Sequence, residues 1–381
     1  MTMHIEERGL VFDVANRPAQ ESVCAFTGLV RLASGTLITS FQCGPQKHDI
    51  TSTTRLCRSD DGGRTWIDEG CPFERSYQGV PGSLAAGEIV ETAPGKLLLF
   101  TTWFDRSEPD RPLFNPETQG VLHSKQLYCS SEDAGLTWGK WQELPLPGLT
   151  GTAISGPTLH WPDGTIAFSF ESYKEFDDPT PGRHAAWLAV STDNGKTFPR
   201  RHLVAQHPEH KVFYWDQRLC TGQNAGDYFA FFWTHNLELQ QDLTVHFRKG
   251  NINDASRPHE HIHATPISGQ ISSPLLLDDG RLLVFVVDRQ RPRTMSLWSS
   301  SDEGQTWPEA NRLVVHNHDE QARISQGEQN VDFNEYWDDM AKWTFGHPAI
   351  RNLGDGRVLV VWYAGSPGKL GIHWARIKVD A

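Results

Sequence analysis

Residues 131–138 read SEDAGLTW, and this pattern, Ser-x-Asp-x-Gly-x-Thr-aromatic, occurs four times in the 381-residue chain. The other copies are SDDGGRTW at 59–66, STDNGKTF at 191–198 and SSDEGQTW at 300–307. An Asp and a Gly two residues apart suit a tight turn that one side chain caps, and the aromatic residue suits a hydrophobic layer. Because such a turn joins two antiparallel strands, we predict a repeat protein.

A second landmark, an apolar run, a Gly-containing turn and another apolar run, occurs six times. Its turn glycines are Gly35, Gly95, Gly164, Gly226, Gly280 and Gly356. They are 54 to 76 residues apart, which leaves room for four strands each time. The flanking residues alternate as in strands, and no stretch keeps a helical period. Since six small sheets packed radially expose only short edges, we predict an all-β, six-bladed β-propeller of four-stranded antiparallel blades.

The whole chain, residues 1–381, is predicted to be one domain, because a ring of blades grows without linkers. An insertion is expected at 328–343 and an N-terminal strand, Gly9–Asp13, beside the C-terminal strand. The blades are placed at about 20–75, 80–145, 150–205, 210–265, 268–318 and 343–381.

Composition narrows the possible partners. A formal net charge of −12 argues against nucleic acid, and no apolar run is long enough to span a membrane. The polar N-terminus lacks a secretion signal, and the six scattered cysteines form no CxxC pair. We therefore expect a cytoplasmic protein with reduced thiols, the alternative being an exported protein whose signal has been removed. The oligomeric state stays open.

The four repeats and six hairpins resemble the sialidase (neuraminidase) superfamily over nearly the whole chain. In that family the repeat is the BNR or Asp-box turn of a six-bladed propeller. The resemblance implies a glycoside hydrolase that acts on carbohydrate without a cofactor. Similar propellers also include lyases and non-catalytic binders, so function depends on the residues at the mouth of the central channel.

Sialidases use an Asp acid/base, a Tyr nucleophile paired with a Glu, and three arginines that bind the substrate carboxylate. The resemblance matches the acid/base to Asp49, which follows His48 and lies ten residues before the first repeat. It matches the Glu to Asp216 and the Tyr to His347, which implies a His/Asp pair. In the alternative interpretation, Asp49 caps a loop, Asp216 pairs with Arg218, and His347 is structural.

The arginines depart from the family pattern. The first falls on Ala25, and the second is absent, since Thr234 and His235 stand after that hairpin. Strand alternation places Arg218 on the same face as Asp216, as a carboxylate-binding candidate. Candidates for the third arginine are Arg289, Arg291 and Arg293, of which Arg293 is nearest in register.

Further substrate contacts are expected from Glu88 and Gln270, at equivalent starts of inner strands, and from Trp103 and Arg106, on a loop toward the mouth. An indole ring stacks well on the C–H face of a sugar; the alternative is that the Trp is part of the core. A run of histidines, His259, His261 and His263, is expected on one side of a strand. That geometry suits a transition metal, but without a fourth ligand no metal site is predicted.

Three functions fit these residues. In the first, a sialidase-like exo-glycosidase cleaves a terminal, acidic sugar, with Asp49 as proton donor and Asp216 with His347 as, or orienting, the nucleophile. In the second, a uronate lyase uses His347 or Tyr214 as its acid or base. In the third, the propeller binds carbohydrate without catalysis.

Overall fold

The structure is a computed structural model in which almost all regular structure is β-strand, so the predicted all-β class is confirmed. The residues that it describes are 2–255, 258–290, 292–319, 340 and 342–380. Arg291 lies outside the described residues. So does most of the insertion predicted at 328–343, of which residues 340, 342 and 343 are described.

The strands and short helices are numbered along the chain. The strands are β1 Met3–Phe12, β2 Val23–Arg31, β3 Leu37–Gly44, β4 Thr53–Ser59, β5 Ile67–Gly70, β6 Gly82–Leu84, β7 Glu88–Ala93, β8 Lys96–Asp105, β9 Ser124–Ser131, β10 Gln142–Glu143, β11 Gly151–Ile154, β12 Leu159–His160, β13 Ile166–Tyr173, β14 Ala185–Ser191, β15 Arg200–Ala205, β16 Val212–Thr221, β17 Asp227–Asn236, β18 Gln241–Asp242, β19 His246–Asn251, β20 His263–Ala264, β21 Ser272–Leu276, β22 Leu282–Asp288, β23 Thr294–Ser300, β24 Leu313–Asn317, β25 Phe345–Gly354, β26 Arg357–Ser366 and β27 Lys369–Val379. Short 3-10 helices lie at Ala19–Glu21, Pro258–His261 and Glu309–Asn311.

Across the described ranges these strands form five sheets. The largest has the order β25-β26-β27-β2-β3-β4-β5, with β1 beside β27. Three sheets of five strands follow: β10-β9-β8-β6 with β7 beside β8, β11-β13-β14-β15 with β12 beside β13, and β16-β17-β19-β20 with β18 beside β17. The fifth is β21-β22-β23-β24. Paired strands run antiparallel, except that β2 meets β27 in parallel at the pair Val23–Leu370.

The two ends of the chain meet in the largest sheet. The sequence predicts a strand at Gly9–Asp13 beside the C-terminal strand; in the structure β1 covers Met3–Phe12 and pairs with β27 from Val379 to Ile372. This pairing covers an edge of β27 that would otherwise offer free backbone groups to other chains.

Hydrophobic side chains fill the spaces between neighbouring sheets. Phe100 of the second sheet stacks on Phe168 of the third with ring centroids 4.7 Å apart. Phe231 of the fourth sheet meets Trp307 of the fifth edge to face, at 5.8 Å. The sheets therefore pack face to face around the molecule, as their apolar inner positions require.

Each copy of the eight-residue repeat forms the same hydrogen-bonded turn. In the copy at 191–198, Asp193 accepts hydrogen bonds from the Thr197 backbone N–H (2.9 Å) and hydroxyl (2.7 Å). Ser191 donates to Asp193 (2.7 Å) and accepts from the Gly195 N–H (2.9 Å). The corresponding bonds occur in the copies at 59, 131 and 300. The repeat is thus a self-contained turn, which explains its sequence.

The repeat turns lie beside the hairpin turns. Thr36, in the first hairpin turn, donates to Asp60 (2.7 Å), and the Ala134 N–H donates to the carbonyl of Gly95 (2.8 Å). Each inner strand ends at its hairpin turn, so the first residues of the inner strands lie at the opposite end of the sheets. That end carries the candidate site.

Candidate functional site

Three inner strands carry the same distortion close to their beginnings. Strands β2, β16 and β25 shift register between Ala25 and Gly28, Trp215 and Arg218, and Gly346 and Ala349. Inside each bulge one non-glycine residue has a positive φ: Phe26 (59°), Asp216 (46°) and His347 (52°). Residues other than glycine rarely adopt this conformation, and bulges re-aim side chains. All three side chains line one cavity.

The cavity has a volume of about 680 Å³, part of which is open to solvent. One side of its wall is apolar, and the other is polar. The apolar side includes Phe104, Leu113, Phe114, Ile154 and Met340, and the polar side includes His48, Glu88, Tyr173, Asp216, Arg218 and His347.

Arg218 lies at the centre of the polar side, and it is 1 % exposed. Its Nη2 lies 2.8 Å from Nδ1 of His347 and also contacts Nε2, while Nη1 is 3.4 Å from a Glu88 oxygen. A guanidinium only donates, so the facing nitrogen of His347 must accept. Burial, followed by the charge of Arg218, holds the pKa of His347 well below its ordinary value. His347 is therefore a neutral hydrogen-bond acceptor beside Arg218.

Glu88 faces Arg218 from the beginning of β7 and is almost completely buried. Burial raises the pKa of Glu88, against the opposing charges of Arg218 and Arg351. Such a shift is typical of a carboxyl group held away from water. The sequence predicted Glu88 as a substrate contact, and Glu88 lines the cavity.

Asp49 does not line the cavity. Its carboxylate accepts hydrogen bonds from the Thr51 N–H (2.7 Å) and hydroxyl, and from Gln46 (3.3 Å), so it caps its own turn. The preceding residue, His48, is in the wall, with its ring 4.7 Å from that of Phe26. Burial, followed by the charges of Arg106 and Lys47, lowers the pKa of His48 to about 3, so this ring is neutral.

Two predicted site residues lie in the core instead. Trp103 is 2 % exposed, packs between the first and second sheets and donates its indole N–H to the carbonyl of Arg75 (2.9 Å). It has no free ring face for a sugar, so the predicted stacking platform is wrong. Tyr214 packs on Phe232 (5.5 Å) within the core between the third and fourth sheets. It lies outside the cavity wall, so it does not suit the predicted acid–base role.

Three other candidates do not line the cavity. Arg106 is buried and donates to Ser83 (2.8 Å) and to the carbonyl of His48 (2.8 Å), so it holds the loop that carries His48. Gln270 accepts from the N–H of Arg289 (3.0 Å). Arg293 pairs with Asp319 at 3.3 Å and does not line the cavity. The predicted third carboxylate-binding arginine therefore does not fit Arg293.

Arg289, another of the three candidates for the third arginine, lies closer to the cavity than the register suggested. Arg289, not Arg293, lies beside the His347 bulge, and its Nη2 donates to the carbonyl of Phe345 (3.3 Å). Its guanidinium stacks on Trp343, 4.0 Å from the ring centroid. Register alone pointed to Arg293; the signal for Arg289 was its place directly after the buried strand β22.

Lys47 was missed, although it directly precedes His48. Its Nζ lies 2.8 Å from the carbonyl of Met340 and 3.2 Å from the hydroxyl of Tyr363, and it contacts the carbonyl of Trp343. Burial, followed by the charge of Arg289, holds the pKa of Lys47 well below its ordinary value.

A second missed group joins the cavity wall to the core of the third sheet. Tyr173 lines the cavity and donates its hydroxyl to Glu171 (2.5 Å), which also lies 3.0 Å from Nε2 of His184. The other oxygen of Glu171 accepts from the N–H of Gln217 (2.8 Å), inside the bulge of β16. The alternation of Glu171 and Tyr173 in β13 was the available signal.

The predicted histidine strand is not present. His259 and His261 lie in the 3-10 helix Pro258–His261, and only His263 belongs to a strand, β20. Over the described residues, no group of three or more possible metal ligands is assembled. No helix in that part of the chain is long and apolar enough to cross a membrane.

Solved structures with the same fold include proteins of known activity. A protein of unknown function from Dyadobacter fermentans aligns over 99% of both chains, with a TM-score of 0.74 and 18% identity. A Hadza microbial sialidase covers 97% of this chain and 68% of its own length (TM-score 0.65, 15% identity). An α-L-arabinanase from Penicillium chrysogenum, solved with arabinobiose, covers 99% and 98% (TM-score 0.62, 13% identity).

No family model and no curated protein matches the sequence. At these low identities the structural likeness establishes the fold: the chain is a sialidase-like propeller, an architecture that it shares with glycoside hydrolases.

Proposed function

We propose that the protein is a six-bladed propeller glycoside hydrolase that removes a terminal, acidic sugar from a glycan. The observation that carries the proposal is the polar wall of the cavity, where Glu88 and Asp216 lie near the buried guanidinium of Arg218. Two carboxyl groups, one protonated and one ionised, are what glycosidic bond hydrolysis usually requires.

The proposal of six blades treats the largest sheet as two blades that meet at the single pair Val23–Leu370. That division gives two four-stranded sets, β2 to β5 and β25 to β27 with β1, which join the four other sheets. We interpret the repeat turns as the Asp boxes of such blades, because each joins the two outer strands of a set. The cavity then lies at one mouth of the central channel, where inner strands begin.

In the proposed mechanism Glu88 hands its proton to the oxygen of the leaving group. This role replaces the one predicted for Asp49, because Glu88 lines the cavity and its burial favours the protonated form. The carboxylate of Asp216 stabilises the positive charge that develops on the sugar ring. The bulge in β16 aims Asp216 into the cavity at the expense of an unfavourable φ, a strain that is typical of functional sites.

The acidic character of the sugar rests on the guanidinium groups around the site. Arg218 lies near both Glu88 and Asp216, Arg351 lies near Glu88, and Arg289 lies near His347. Among the described residues, Nε of Arg218 has no hydrogen-bond acceptor. A substrate carboxylate would supply one and offset the buried positive charge.

To test the function, the purified protein is incubated with sialylated and uronate-containing oligosaccharides in heavy-oxygen water, and product masses are measured. Hydrolysis places one heavy oxygen in the released acidic sugar. An unsaturated product without heavy oxygen would establish a lyase and contradict the proposal. Saturable binding without product would establish a carbohydrate-binding propeller instead.

Two observations favour hydrolysis over the lyase alternative, in which His347 or Tyr214 would be the acid or base. Tyr214 is in the core, and the low pKa of His347 beside Arg218 makes it a weak proton acceptor. For these reasons hydrolysis is the reaction that we propose.

A further inference from the structure

We propose that Cys24 and Cys43 are a modification site, an oxidisable pair of thiols that a peroxide converts into a disulfide bond. The proposal does not depend on the glycosidase function proposed above. All six cysteines of the chain belong to the described residues, and in the structure they are free thiols. Over these residues, no other two cysteine sulfurs are in hydrogen-bond contact.

The two cysteines lie directly opposite each other in neighbouring antiparallel strands. Cys24 of β2 is the register partner of Cys43 of β3. Residues paired in this way have Cα atoms about 4.5–5.5 Å apart and side chains on the same face of the sheet, within the span that a disulfide bond bridges. The two sulfur atoms are 3.7 Å apart. They need to approach by about 1.7 Å to form the bond, a movement that side-chain rotation supplies.

The two sulfur atoms have different surroundings. Cys24 is completely buried and donates its S–H to Cys43, and burial holds the pKa of Cys24 well above its ordinary value. Cys43 also lies 3.9 Å from Nη1 of Arg55. The hydrogen bond from Cys24, followed by the charge of Arg55, lowers the pKa of Cys43 against the effect of burial. Because the thiolate is the nucleophilic form, Cys43 is the sulfur that attacks the oxidant, and Cys24 is the resolving thiol.

Arg55 connects this pair to the surface of the protein. The Nη1 atom that faces Cys43 also lies 3.8 Å from the sulfur of Cys71, which is an exposed residue. Cys43 is itself only 3 % exposed, but a single guanidinium group separates it from this exposed position. Hydrogen peroxide is uncharged and close to water in size. A small local opening around Arg55 is therefore enough for the oxidant to reach Cys43.

The reaction consumes one peroxide molecule and two thiols. The Cys43 thiolate attacks one peroxide oxygen, so that an S–O bond forms while the O–O bond breaks. The departing hydroxide takes up the proton that Cys43 had released and becomes water. Cys43 is now a sulfenic acid, and the peroxide has been reduced. The Cys24 sulfur then attacks the Cys43 sulfur; the S–S bond forms, the S–O bond breaks, and the hydroxyl leaves with the Cys24 proton as a second water molecule.

Peptide mapping of the native wild-type protein after treatment with hydrogen peroxide tests the proposal. Catalase removes the peroxide, the protein is unfolded, the remaining thiols are blocked with iodoacetamide, and trypsin digests the chain without a reductant. Trypsin leaves Cys24 and Cys43 in separate peptides, 9–31 and 32–47. We expect these peptides to be linked in most of the protein, with a mass two hydrogen atoms below their sum, and to be released by dithiothreitol.

Two results of this mapping would overturn the proposal. In the first, both peptides are fully alkylated at a peroxide dose that oxidises the exposed Cys71. In the second, either peptide is linked to a peptide that carries a different cysteine.

Variants of single cysteines test the two roles. In Cys24→Ala the resolving thiol is missing, so we expect Cys43 to stop at the sulfenic acid and to be trapped by dimedone, a reagent for sulfenic acids. In Cys43→Ala we expect no dimedone on Cys24. Cys57→Ala removes a buried cysteine of the next strand, β4, and as the matched control it should form the same cross-link as the wild type. Dimedone on Cys24 instead of Cys43, or loss of the cross-link in Cys57→Ala, would contradict the assignment.

Discussion

The end of the sheets that carries the repeat turns, the turn end, and the end that carries the cavity, the cavity end, provide hydrogen-bond partners for their polar groups in opposite ways. At the turn end, Asp193 finds its partners within four residues of itself, in Ser191 and Thr197. At the cavity end, Arg218 contacts His347 and Glu88, which are 129 and 130 residues away in sequence. A turn of the first kind depends on its own eight residues, whereas the cavity exists only when the whole ring is assembled. The difference separates residues that maintain the fold from residues that form the site.

The largest effect should come from two aspartates that differ in this respect. In Asp216→Asn we expect kcat/KM to fall by about 100-fold or more, because the charge that stabilises the transition state is lost. In Asp49→Asn the change should be within about 3-fold, because that carboxylate caps its own turn with Thr51. Initial rates on the same acidic sugar measure both. A reversed order would restore the role that sequence reasoning gave to Asp49.

Trp103 tests where the core ends and the cavity begins. Removing a fully buried indole costs about 3–5 kcal/mol of unfolding free energy, so Trp103→Ala should be strongly destabilised in urea titrations. Trp103→Phe should recover much of the loss and leave KM unchanged. If instead Trp103→Phe is stable but raises KM by 10-fold, the indole binds substrate as the sequence predicted.

A smaller effect is expected at the turn end. Ser191 is buried and bonds both Asp193 and the Gly195 N–H, so Ser191→Ala should lower the unfolding free energy by about 1–2 kcal/mol. Activity should not change, since the turn is remote from the cavity. A loss of kcat at constant stability would mean that the two ends are coupled.

The smallest effect concerns acid stability. Hydrogen bonds from the Thr137 hydroxyl and N–H lower the pKa of Asp133 to about 2 in the folded protein. A carboxyl group with a lowered pKa stabilises the fold fully above its ordinary value near 4, and this contribution is lost as the pH falls toward 2. The difference in melting temperature between the wild type and Asp133→Asn should therefore be constant from pH 7 to pH 5 and shrink below pH 4. A difference that grows as the pH falls would contradict the assignment.

The turn end could be predicted from the sequence because its contacts are local. The repeats at 59, 131, 191 and 300 and the turn glycines each specify their own geometry, and the all-β propeller follows from them. At the cavity end, strand alternation predicted Asp216 and Arg218 on one face. Both do line the cavity, but the backbone reaches this arrangement through a bulge, with Gln217 turned toward the third sheet. Nothing local in the sequence marks such a bulge.

The residues whose positions were predicted wrongly from the sequence have one physical cause in common: their contacts depend on distant parts of the chain. The sequence around Trp103, near the end of β8, is the same whether its ring faces the core or the cavity. The same ambiguity applies to Tyr214 in β16. The sequence does not show that Glu171 contacts both His184 and Tyr173; these hydrogen bonds are visible only in the structure. Such contacts depend on the register of β13 and on the segment before β14, which the pattern of apolar residues does not define.

The most direct test of the site is a crystal structure of Asp216→Asn soaked with an acidic oligosaccharide that the wild type cleaves. The account predicts the terminal sugar in the cavity, with its carboxylate on Arg218 and its glycosidic oxygen within hydrogen-bonding distance of Glu88. A sugar bound elsewhere on the protein, with the cavity empty, would contradict the account.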